Sequence, residues 1–99
     1  MIPLESLDSE TFVPLVGHAF TIATAVGPLE LHLNAVCQLG QRRAEATREP
    51  FSLVFRGRHG LRLPQGIYRF GNASLGEIEM FITQLADGPQ GADFEAVFT

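Results

Sequence analysis

Apolar and polar positions along this chain follow two spacings, and the change from one to the other comes near residue 19. From Ala19 onward they alternate one by one. The cleanest run sets Leu29, Leu31, Leu33, Ala35, Cys37 and Leu39 against Glu30, His32, Asn34, Val36 and Gln38. Extended backbone turns successive side chains to opposite faces, so this run predicts a long strand with one wet face and Cys37 pointing into the core. The same period marks Phe20, Ile22 and Thr24 before it. After it come Phe51, Leu53 and Phe55, then Ile67 to Gly71. Leu75 to Leu85 follows, with Ile78, Met80 and Ile82 opposed to Glu77, Glu79 and Phe81; the last run is Ala92 to Thr99, with Phe94, Ala96 and Phe98 on one face. Turn signals separate the runs: Gly27-Pro28, Arg58-His59-Gly60, Leu63-Pro64-Gln65-Gly66, Gly71 to Ser74 and Asp87 to Gly91. Gly40 to Pro50 lacks a period and reads as an exposed loop.

Ahead of the strands, Ser9 to Val16 carries the helical spacing, with Phe12, Leu15 and Val16 toward the core. Asp8 or Ser9 caps it, Pro14 keeps it to one or two turns, and Gly17 stops it. The prediction is an all-β fold: about six antiparallel strands in a meander, forming a small barrel or a sandwich, with a short N-terminal helical turn over about 9–16. Residues 1–99 are expected to make a single domain.

Composition narrows the function classes. Hydrophobic residues make up 45% and charged residues 18% of the chain, a globular balance. Net charge is −4 and all seven basic residues are Arg, which argues against a nucleic-acid partner, since phosphate neutralisation needs a positive footprint. Arg42, Arg43, Arg48, Arg56, Arg58 and Arg62 make the middle locally basic and read as solvated charges. Cys37 is the only cysteine, excluding an intrachain disulfide and a multi-thiolate metal cage. Neither a secretion signal nor a membrane-spanning run is expected, so a soluble, cytoplasmic protein is.

Candidate chemistry is sparse. His18, His32 and His59 are scattered, though His32 shares an outer strand face with Glu30 and Asn34. Glu77 and Glu79 share another face, with Glu95 expected nearby, and read as a solvated outer wall. Asp87 and Asp93 flank a turn and are expected to bond its backbone. Ser6, Ser52 and Ser74 have no neighbouring histidine, and no Gly-x-Ser-x-Gly occurs. Tyr68 and Phe70 form either a small ligand patch or a packed layer beneath the N-terminal turn. No catalytic residue, cofactor or metal is expected.

The order and spacing of Phe12-x-Pro14-Leu15-Val16-Gly17-x-x-Phe20, Pro50 to Gly57, Leu63-Pro64-Gln65-Gly66-x-Tyr68, Leu75-Gly76-Glu77 and Phe94 to Phe98 resemble a family of small uncharacterised bacterial all-β domains. The likeness covers nearly all the chain after residue 6 and departs at Thr83 and Gln84, where such domains often carry proline. It implies an accessory or structural protein of a phage-tail-like apparatus, and the family has no catalytic residues to carry over. The expected function is therefore a non-catalytic binding or assembly module, recruiting a tail-collar-like protein or a second copy of itself through an exposed strand edge. The alternative is a small-molecule-binding barrel, or a small enzyme, working at the barrel mouth.

Overall fold

The computed structural model describes residues 2–40 and 49–99. Arg42, Arg43 and Arg48 lie outside the described residues. The N-terminal segment forms a 3-10 turn, Leu4–Ser6, then α1, Ser9–Phe12, then a second 3-10 turn, Val13–Leu15. Asp8 is the cap: its carboxylate accepts from the Thr11 backbone N–H at 3.1 Å and from the Thr11 hydroxyl at 3.0 Å. Pro14 cannot donate to the helical ladder, so the turn tightens and ends. Gly17, at a φ of 91°, redirects the chain. Its N–H donates to the Leu33 carbonyl at 2.7 Å, which delivers the chain into the first strand.

Six strands follow: β1 (Ala19–Thr24), β2 (Gly27–Gln38), β3 (Phe51–Gly57), β4 (Gly66–Asn72), β5 (Gly76–Gln84) and β6 (Ala92–Phe98). They close into an antiparallel barrel in the order β1-β2-β3-β6-β5-β4. The all-β barrel matches the reading of the sequence, but its connectivity is richer than one meander. β1-β2-β3 and β4-β5-β6 are two meanders. β3 pairs with β6 and β1 with β4, so residues 58–65 must cross one end of the barrel. Alternation fixes which face a side chain takes and says nothing of which strand lies alongside. Closure also removes the exposed strand edge that the sequence had suggested.

Both ends are stoppered. At the end where β3 begins and β6 finishes, Phe51 and Phe98 stack with centroids 4.6 Å apart, and Phe12 of α1 sits 6.0 and 5.9 Å from them. Mid-barrel, Phe55 packs 5.1 Å from Phe20 and 4.9 Å from Phe70. All these rings except Phe98 are fully buried, and Leu31, Leu33, Leu53, Ile78, Met80, Ile82 and Phe94 fill the space between. Each such side chain stabilises the fold by roughly 1.5–3 kcal/mol on leaving water. The crossing segment closes the other end, pushing Leu61 into the core. Gln84 holds it there: its side-chain amide donates to the Leu61 carbonyl at 2.7 Å and accepts from the Leu63 N–H at 3.0 Å. Gly57 makes room, because a Cβ there would lie 2.7 Å from Leu31 Cδ2 and 2.8 Å from Leu61 Cδ2.

Cys37 corrects the reading of β2. The β2–β3 register slips between Leu33 and Ala35, leaving Asn34 as the extra residue of a β-bulge. One inserted residue reverses the phase of everything beyond it. Ala35 therefore lies opposite outward-facing Val54, Val36 opposite inward-facing Leu53, and Cys37 is exposed.

Candidate functional site

A barrel filled to both ends leaves its outer wall as the surface on which chemistry or recognition can occur. On that wall a groove of about 480 Å³ runs over β2 and β3, lined by Gly17, Glu30, His32, Leu33, Asn34, Arg56, Gly57 and Arg58. Period two delivers Glu30 and His32 to one face of β2, and the bulge turns Asn34 out beside them. Register sets His32 opposite Arg56. The sequence-predicted row of Glu30, His32 and Asn34 is thus assembled on one surface, with His32 Nε2 3.8 Å from Glu30 Oε1.

Arg56 is the anchored member of the groove. Its guanidinium donates to both Asp93 carboxylate oxygens, at 2.8 and 3.2 Å, and to Gln90 Oε1 at 2.7 Å. Hydrogen bonding to Asp93 raises its pKa above the ordinary arginine value, with desolvation opposing and the carboxylate's charge assisting. Asp93 approaches because Gly91 lets the preceding loop press on β3, where a Cβ would run into the Gly57 carbonyl. The Arg58 and Asn34 side chains bond to no other described residue, although the Arg58 carbonyl accepts from the Leu61 N–H at 3.2 Å. Serine, threonine, cysteine and lysine are missing from the described lining, whose ionisable side chains are Glu30, His32, Arg56 and Arg58. What it offers is directional: a guanidinium and an amide with no partner among the described residues, beside a carboxylate and an imidazole.

The remaining candidates do not converge. His18 immediately precedes β1 and His59 lies in the crossing segment, each next to a residue of the groove lining, Gly17 and Arg58, without itself lining it. Among the described residues, no group of three or more His, Cys, Asp or Glu is placed to hold a metal ion. Glu77 and Glu79 share the outer face of β5, but Glu95 stands opposite Thr83, about 13 Å further along the strand than Glu79 at the usual rise. Asp87 and Asp93 bond arginine side chains instead of turn backbone, Asp87 meeting Arg62 at 3.0 Å. Ser6 donates to the Pro3 carbonyl in the first turn, Ser52 is buried on β3 and Ser74 sits in the β4–β5 turn. Phe70 is core, and Tyr68, half-buried, packs against that core while its hydroxyl donates to the Pro64 carbonyl at 2.6 Å, tying down the crossing segment. No described helix is long and apolar enough to cross a membrane.

The comparison with family models matches residues 7–98 to a domain of unknown function, DUF6916. The chain belongs to that family. At this level the family resemblance read from the sequence holds: a small, uncharacterised domain spanning nearly everything after residue 6. No curated protein and no solved structure matches significantly.

The groove was half visible in the sequence. Glu30, His32 and Asn34 stood out by alternation, whereas Arg56 and Arg58 come from a strand whose neighbour only folding assigns. One signal for the bulge was present: Val36 interrupts the polar phase of β2 just where the phase reverses.

Proposed function

We propose that the domain is a non-catalytic binding and assembly module, engaging another protein through the β2–β3 groove on the outer wall. The observation that supports this reading is the pairing of a filled, stoppered interior with a charged groove whose Arg58 and Asn34 side chains have no partner among the described residues. A small-molecule barrel, or an enzyme working at the mouth, is disfavoured by the same observation, because Phe12 and Leu61 occupy the two ends. The module is taken as bacterial, soluble and cytoplasmic. Its net charge of −4 favours a protein partner over nucleic acid. The finer part of the proposal is that the partner belongs to a phage-tail-like apparatus; its support is the sequence resemblance and nothing in the barrel.

Co-purification of the tagged wild type and the Asn34→Ala/Arg58→Glu double variant from the native host tests both parts. The expected result is a stoichiometric partner whose recovery falls about tenfold or more in the variant, the loss of one to two charge-assisted hydrogen bonds, with an unchanged melting temperature. Equal recovery by both proteins, or no stoichiometric partner, overturns the groove reading. A partner unrelated to tail-like assemblies overturns only the finer part.

A further inference from the structure

The outer face of the β4–β5 hairpin lies on the side of the barrel opposite the groove and carries its own pattern. Ile67 stands opposite Phe81, Arg69 opposite Glu79, and Gly71 opposite Glu77. Ile67 is 70% exposed and Phe81 53%, an apolar pair that a solvated wall has no need to present. Arg69 and Glu79 face each other across the ladder, yet no ion pair joins them, and neither side chain bonds another described residue.

We propose that this face docks a second copy of the chain about a two-fold axis that lies in the interface and runs along the strands, between β4 and β5. Rotation about that axis lays β4 of one copy over β5 of the other. Ile67 then covers Phe81 and Arg69 covers Glu79, each contact made twice, as an isologous interface requires. Glu77 comes to rest over Gly71, where the absent side chain spares it a like-charged neighbour. An in-plane axis running across the strands midway between the two rungs would instead press the Ile67–Phe81 rung onto the Arg69–Glu79 rung, burying charge against apolar surface, and one through the Ile67–Phe81 rung would leave Arg69 and Glu79 without each other. Charge complementarity therefore selects both the partner and its orientation. A two-stranded face is smaller than the ~800 Å² per partner of a standard stable complex, so the dimer is weak and dissociates on dilution. It does not depend on the groove having a partner, and it leaves the groove free.

Analytical ultracentrifugation of the full chain over about a thousandfold concentration range tests this, the mass moving from one chain toward two. Phe81→Glu abolishes the shift while the circular dichroism melt stays cooperative. Arg69→Glu and Glu79→Arg are each monomeric alone, since each sets like charges face to face. Mixed in equal amounts they regain a dimer of one chain of each kind. A wild type that stays monomeric throughout overturns the proposal. So does a dimer that persists in either charge variant alone, or a mixture that stays monomeric.

Discussion

Two parts of the barrel wall are held together quite differently. In the arc β1-β2-β3-β6 the strands are paired along most of their length: β1–β2 from Ala19↔His32 to Thr24↔Gly27, and β3–β6 from Phe51↔Phe98 to Gly57↔Ala92. The β4–β5 hairpin is just as continuous within itself, from Gly66↔Ile82 to Asn72↔Gly76. Its seams to the arc are short. β4 meets β1 only at Thr21↔Gly71 and Ile22↔Phe70, and β5 meets β6 only at Thr83↔Glu95 and Gln84↔Phe94. Side chains and the N-terminus help close those seams: the Asn72 amide donates to the Ala19 carbonyl at 3.0 Å, and the Ile2 N–H to the Glu77 carbonyl at 3.1 Å. The hairpin is thus anchored mainly through its core residues Phe70, Ile78, Met80 and Ile82, while the arc is also stitched by its backbone. Free energies of local opening vary in this way within one small protein, and elements with few stitches open first.

Removing residues 94–98 should have the largest effect. It takes away most of β6 and with it the β3–β6 ladder, so the arc loses its longest register and the chain loses its cooperative melt. A truncated protein that still melts sharply would show that the arc is not the foundation described here. Next come the two rings that meet across the core. Phe55→Ala, in the arc, is expected to lower stability by about 3–5 kcal/mol in urea unfolding, because the stitched strands cannot settle into the cavity. Phe70→Ala, on the hairpin, should fall at or below the lower end of that range, because loosely seamed strands can move inward. Equal losses would erase the difference between the two regions. The smallest effect belongs to Asn72→Ala, worth about 2 kcal/mol for three largely exposed hydrogen bonds, the one to the Ala19 carbonyl and the two that Oδ1 accepts from the Ser74 and Leu75 N–H groups. Its diagnostic is location: amide exchange should quicken along β4 and β5 and stay unchanged in β3 and β6. Uniform quickening would mean that the seam does not open by itself.

Much of this was legible along the chain, and the limits have physical causes. Strand positions, the Asp8 cap and the outward row of Glu30 and His32 follow from local rules, since period, capping and turn chemistry act within a few residues. Cys37 was misjudged because one inserted residue at Asn34 reverses the faces beyond it, and only the partner strand reveals an insertion. Asp93 was read as a turn residue because its true partner, Arg56, is distant in sequence and near only across the β3–β6 ladder.

By itself the sequence determined that this protein is extended, antiparallel and rich in inward-facing phenylalanine, because alternation is a property of the backbone and each residue's own side chain. Tertiary structure alone decided that β3 would pass over β4 to pair with β6, that the barrel would close without an edge, and that Arg56 and Arg58 would join His32 in one groove. Those outcomes depend on which strands become neighbours, and neighbours are chosen by the packing of the whole core, which no short stretch of sequence contains.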